Sequence, residues 1–247
     1  MTPSFLEERR DLAAVFRGAA TFGGQAGVCN HFSLRVSETP KLFLLNSWGM
    51  YFSQARASDL MLVDEQGVNV GAAQDTAQDT GFAAFNIHSM VHALHPEAHC
   101  VLHTHMPYAT TITLLEGGRL EPISQEALRF DDDIAYDDSY SGLAHDRSEG
   151  ERIARAMGDK HVLFLAHHGV IVVGPTVAQA FDHLYYLERA AELQFKAMSC
   201  NRPLRRVSQS VARSTAAQFG RSREHWSRLH LDALRTRLDR EEPQYAD

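Results

Sequence analysis

Apolar residues recur along the chain in two rhythms, one of about every third or fourth position and one of short alternating or continuous runs. Phe5, Leu12, Val15, Phe16 and Ala19 stand at helical intervals among charges, which predicts an amphipathic helix over residues 5–22. "GGQAGVCNHFSLRVS" reads as a glycine-rich turn into a strand, "KLFLLNS" as the next strand and "ASDLMLVDEQG" as a third ending in a turn. The rhythm becomes helical over residues 80–94, and Pro96 lies just past that helix, ahead of the strand "CVLHTH". "PYATTITLLEGG" predicts a short helix closed by glycines, and "SEGERIARAMGD" a helix with Ser148 at its N-cap. "HVLFLAHHGVIVVG" reads as two apolar strands hinged at "HHG", with Gly169 letting the backbone turn. "TVAQAFDHLYYLERAAELQFKAMS" is the longest predicted helix, with Val177, Phe181, Leu184, Leu187 and Leu193 near one face, and residues 207–240 again read helical. With no internal repeat or linker, the pattern predicts one α/β domain whose helices flank a mixed sheet.

At 247 residues, 44% hydrophobic and 22% charged, the chain can bury a large single core. A net charge of −7 argues against a general nucleic-acid binder, and the arginines that follow Cys200 read as a solvated helix face. Cys29, Cys100 and Cys200 are odd in number and lack C-x-x-C spacing, which fits a reducing cytoplasm rather than a disulfide framework. The N-terminal stretch carries acids and no long apolar block, unlike a signal peptide, and no run approaches a membrane span, so a soluble cytoplasmic protein is expected.

The candidate chemistry begins in "HCVLHTHMPY", where strand alternation puts His103 and His105 on one face. Two imidazoles so placed suit a divalent metal or a hydrogen-bonded core pair. A third ligand is offered by "AHHGVIVVG", where spacing alone does not choose between His167 and His168. His88 and His92 form an i, i+4 pair that reads as satisfied helix histidines. "FDDDIAYDDS" lacks the spacing of a calcium loop and reads as a solvated acidic loop.

"HCVLHTHMPYATTIT", followed by "HHGVIVVGPTVAQAFDHLYYLERAAELQ", resembles the class II aldolase/adducin family. "GVCNHFSLRV", "FLLNSWGMYFSQARASDLMLVDEQG" and "FNIHSMVHALHPEAHC" are similar to the same family, so the resemblance covers residues 5–200. It implies a three-layer α/β/α sandwich with a central mixed, largely antiparallel sheet, here residues 1–205, and a C-terminal helical extension, residues 206–247, packed on the same domain or on a neighbouring subunit. It also implies a homotetramer and a divalent metal held by His103, His105 and His168. Zinc is the first expectation, with manganese, cobalt or iron as alternatives. His167 then packs or supports from behind.

The sugar-phosphate aldolases of that family use a Ser-Ser-Glu motif, and the glutamate's position is Ala84 here, with Phe82 and Ala83 in place of the phosphate-binding serines. Their Thr-Gly pair corresponds to Trp48 and Gly49, and their Gly-Asn turn to Asn30 and His31. With Phe85 and Gln125, these positions form the expected substrate pocket, suited to a flat, unphosphorylated small molecule. A methyl group cannot move a proton, so Tyr140, His31 and His145 are the candidate acids and bases. The expected activity is carbon–carbon lysis, by aldol cleavage or decarboxylation, of a hydroxy-carbonyl or hydroxy-acid compound through a metal-stabilised enolate. The rival expectations are an aldolase-like non-haem iron oxygenase acting on an aromatic keto acid, and a non-catalytic adducin-like module. No nucleic-acid or membrane partner is expected.

Overall fold

In a computed structural model, which describes residues 4–71, 82–143 and 147–247, the apolar runs form strands β1 (His31–Glu38), β2 (Lys41–Leu45), β3 (Met61–Asp64), β4 (Cys100–Thr104), β5 (Ile134–Asp137), β6 (Val162–Leu165) and β7 (Gly169–Gly174). Among the described residues they make one sheet in the order β3-β2-β1-β4-β7-β6-β5. All neighbours are antiparallel except the parallel β5–β6 pair. Alternation then divides each central strand between two cores: Cys100, Leu102, Val170 and Val172 face one side, and Val101, Ile171 and Val173 the other. Helices on both faces are what make continuous apolar strands stable, because neither face can be left to water.

The first layer holds α1 (Leu6–Thr21), α3 (Pro107–Thr113), α5 (Val177–Ser199) and α6 (Gln209–Glu241). The opposite layer holds α2 (Phe82–Leu94) and α4 (Arg147–Met157). The α2 and α4 backbones approach closely at Gly150, where a Cβ would stand 2.5 Å from the Asn86 carbonyl oxygen. The expected α/β/α sandwich is therefore the observed architecture. No described helix is long and apolar enough to cross a membrane.

Three local expectations are corrected. "IAYD", inside the supposed acidic loop, is edge strand β5, and its Asp137 is buried and accepts a 2.7 Å hydrogen bond from Arg152. Four residues among aspartates carry too little periodicity to be read as a strand. Ser148 lies within the first turn of α4 rather than ahead of it, and α6, with 33 residues, is longer than α5.

The C-terminal half of α6 packs on α1 of the same chain, with Leu238 and, in the turn just past the helix, Tyr245 buried against Ala13 and Ala14, and Leu231 joins the main core. Arg235 adds hydrogen bonds to Asp11 at 2.6 Å and to Glu7 at 3.2 Å. Earlier in the helix, Arg223 lies 3.6 Å from Asp133, which in turn accepts from the ring of His161 at 2.8 Å.

The hydrogen bond to Asp133 holds His161 above its ordinary value of 6.5, with Glu97 assisting on the other ring nitrogen. Burial pushes Asp133 up, but His161 outweighs it and leaves the carboxyl below 3.8. The histidine therefore contributes stability in full below pH 6.5 and loses it as pH rises through its raised value. The aspartate contributes above 3.8 and loses that as pH falls through its depressed value. Urea midpoints followed from about pH 5 to about pH 9 are expected to fall on the alkaline side, and Asp133→Asn should flatten that limb.

Candidate metal centre

His103 is the penultimate residue of β4 and faces the α2 layer, directly opposite His31 of β1 and Ile171 of β7. His105 is the first residue past the strand. His168 comes from the turn between β6 and β7, whose last ladder pair is Leu165 with Gly169. The turn is made by His167, which takes the left-handed conformation at φ 57°, while the His168 amide donates to the Leu165 carbonyl at 3.1 Å. Gly169 has a different task from the expected one. A Cβ there would lie 2.6 Å from the Thr104 carbonyl oxygen and 2.8 Å from Cδ2 of His105, so glycine lets the turn close onto the end of β4.

One nitrogen from each of His103, His105 and His168 lies within 4.8 Å of the others. Nε2 of His103 and Nε2 of His105 are 3.2 Å apart. Two nitrogens on a tetrahedral zinc, at about 2.0–2.1 Å each, stand about 3.3 Å apart, so the spacing fits that ion. Nδ1 of His103 donates to the Val170 carbonyl at 3.0 Å, which leaves its Nε2 lone pair free to coordinate. Burial, then the neighbouring rings, holds His103 well below its ordinary value; the same causes bring His105 to about 4, and burial lowers His168. Three neutral imidazoles meeting at one point are the donor set of a metal site with at least one coordination position left for a ligand.

Two side chains join this centre at its mouth. His31 is buried, its Nε2 has no partner among the described residues, and burial, opposed by a hydrogen bond to the Cys29 carbonyl, brings it to about 4. Trp48 is 47% exposed and stacks on His31 with ring centroids 5.5 Å apart. Gly49 follows in an exposed turn at φ 87°. Asn30 is buried beneath, its Oδ1 accepting from the Ala26 amide and its Nδ2 unpartnered among the described residues. Tyr140 lies 5.8 Å from the exposed ring of His167, so His167 neither packs in the core nor supports a ligand directly.

Other expected residues sit elsewhere. Phe85 packs with Phe43, Leu45, Met61 and Val63, because α2 turns that position toward β2 and β3. Gln125 lines a separate cleft of about 380 Å³ with Phe219 and Trp226 of α6. His145 and the side chains of Phe82 and Ala84 lie outside the described residues.

Sequence reasoning missed the support behind His105. Both oxygens of Glu188 accept from the first amides of α3, Tyr108 at 2.9 Å and Ala109 at 2.8 Å. Burial pushes this carboxyl up to about 7 against the pull of those two bonds. The available signal was a charge at the apolar face of α5, four residues after Leu184. Glu188→Ala is expected to cost about 1–3 kcal/mol of unfolding free energy, because two buried donors lose their acceptor; Glu188→Gln, which keeps one acceptor oxygen, should cost less in the same urea titration.

Three histidines converging in a mostly antiparallel sheet that is sandwiched between two helix layers make a candidate metal centre in an α/β/α protein. The model of the class II aldolase and adducin N-terminal domain matches residues 10–195. A Caulobacter vibrioides protein provisionally named an aldolase class 2 protein is 34% identical over 242 residues, 98% of this chain and 92% of that protein. Mouse alpha-adducin is 36% identical over 192 residues, 77% of this chain, and the match spans only 26% of alpha-adducin. An aldolase II superfamily protein from Pseudomonas syringae superposes with a TM-score of 0.90 at 34% identity, covering 100% of this chain and 98% of that one. The chain belongs to the class II aldolase and adducin N-terminal domain family.

Proposed function

We propose that this protein is a metal-dependent carbon–carbon lyase acting on a small, unphosphorylated hydroxy-carbonyl or hydroxy-acid compound, by aldol cleavage or decarboxylation. The observation that carries this reading is the convergence of three neutral histidine nitrogens beside the open Nε2 of His31 and an exposed Trp48. His103, His105 and His168 would hold the ion, zinc first, with manganese, cobalt or iron as alternatives. Such an ion supplies a Lewis acid that polarises a carbonyl and favours the enolate.

The chain's own groups do the rest. His31, neutral and with its Nε2 unpartnered among the described residues, would take a proton from a ligand hydroxyl. Trp48 offers a flat wall, and Tyr140 and His145 are further candidate acids. Ala84 and the neighbouring Phe82 remove the glutamate and serine chemistry of the phosphosugar enzymes, which favours a substrate without phosphate. The apolar groove formed by Tyr108, Ile112, Leu115, Phe195 and Met198 is the proposed contact of a cytoplasmic homotetramer.

Alpha-adducin identity favours a second reading, a non-catalytic assembly module. The two separate by incubating zinc-, manganese-, cobalt- and iron-loaded protein with small hydroxy-carbonyl and hydroxy-acid compounds in deuterated water and following them by proton NMR. Cleavage, or deuterium entry beside the carbonyl, that vanishes in His168→Ala supports the lyase. Metal-loaded protein inert toward the whole panel supports the module, and oxygen uptake with an aromatic 2-oxo acid under iron alone would replace both with an oxygenase.

A further inference from the structure

Beneath the three ligands runs a second, fully buried chain of polar groups. Nδ1 of His92 lies 2.5 Å from the Ala98 carbonyl, which can only accept, so that nitrogen carries the ring's proton. Burial holds His92 neutral, at about 3, so its Nε2 is a lone pair. Ser33 Oγ, 2.8 Å away, therefore donates its one proton to that nitrogen. With the proton spent, Ser33 Oγ can only accept from Nδ1 of His88, at 2.6 Å. Each step fixes the next, and the chain ends on Nε2 of His88, a buried acceptor without a partner among the described residues.

That end is turned toward the metal centre. Ser33 lies two residues along β1 from His31, on the same face of the sheet, and the rings of His88 and His31 meet edge to face with centroids 6.5 Å apart. His31 also presents an unpartnered Nε2, since its other nitrogen is engaged with Cys29. Two buried acceptors on neighbouring rings, with no donor between them among the described residues, leave desolvation uncompensated unless something bearing O–H groups binds there.

The geometry points to a hydroxyl-recognition site: His92 and Ser33 lock His88 in its Nδ1–H tautomer, so that Nε2 of His88, beside Nε2 of His31, receives a hydroxyl group of the ligand. This makes Ser33 and His92 positioning residues, and it deepens the proposed function by requiring a hydroxyl on the compound that binds. A keto or carboxyl oxygen in that place would set lone pair against lone pair.

Histidine-selective ¹⁵N labelling of the full chain reads ring tautomers directly, with or without metal. His88 is expected to show a protonated Nδ1 and a bare Nε2; Ser33→Ala should leave a mixture of tautomers, and Ser33→Thr should retain the preference. In zinc-loaded protein, glycolate is expected to shift the His88 Nε2 resonance and acetate to leave it in place, with glycolate binding weakened about tenfold in Ser33→Ala relative to acetate. A protonated Nε2 on His88, or a tautomer indifferent to Ser33→Ala, overturns the lock. Equal responses to glycolate and acetate, or none, overturn the ligand hydroxyl and leave water as the donor. If every substrate proves inert while the tautomer and glycolate results hold, the lyase reading fails and the hydroxyl site stands.

Discussion

Gly169→Ala is expected to bind zinc about 10–100-fold more weakly than the parent chain, the range found when the support of a ligand is disturbed. The added methyl would meet the Thr104 carbonyl oxygen at 2.6 Å and the His105 ring at 2.8 Å, and neither is the free end of a flexible side chain. Either β7 moves away from β4, which costs about 1–3 kcal/mol of overpacking, or the His105 ring swings and its 3.2 Å spacing from His103 is lost. Direct removal of a ligand sets the limit of the effect: His103→Ala should retain no ion after dialysis against a chelator, with its circular dichroism spectrum unchanged. Both are read by elemental analysis and chelator competition. Parental affinity in Gly169→Ala would mean that the close approach of the turn to β4 does not set the ligand geometry.

The largest expected loss of stability comes from the junction between α5 and α6. Arg129 and Asp182 form a buried ion pair, with side chains 9% and 3% exposed. Asp182 also accepts from Nδ1 of His230 on α6 at 2.8 Å. The guanidinium lies over Tyr186 at 3.9 Å and Phe219 at 4.7 Å, so it is held by two aromatic faces as well as by its carboxylate. Asp182→Ala leaves that cation buried without its anion and is expected to cost about 3–5 kcal/mol. Replacing both partners by apolar residues, as Arg129→Met with Asp182→Leu, should cost much less than the single change, because no uncompensated charge remains. Urea unfolding at a fixed protomer concentration reads the cost, and Trp226, in the same cleft as Phe219, reports whether α6 leaves first.

Much of the architecture was legible because it is written in short-range order. The alternation of Cys100 to Thr104 and the i, i+4 spacing on α1 and α5 need only the pitch of a strand or a helix to be read. The H-x-H pair followed from the same rule, even though His105 stands just past the strand rather than in it. β5 was missed for the converse reason: four residues at a sheet edge have a partner on one side only and little pattern of their own. Residue type alone does not say which face of α2 Phe85 occupies, and packing turns it to Phe43, Leu45, Met61 and Val63.

Short-range order is enough to read the two-sided burial of the central strands and the class of sheet and helices, and the family's motifs point to His103, His105 and His168 as the proposed ligand set. The tertiary structure alone decided that Gly169 serves close approach rather than the turn, that Glu188 anchors α3 behind His105, and that Ser33 links His88 to His92. Periodicity is a property of neighbours a few bonds apart, whereas these three depend on how β7, α5 and α2 settle against strands tens of residues away, and that is fixed only when the cores pack.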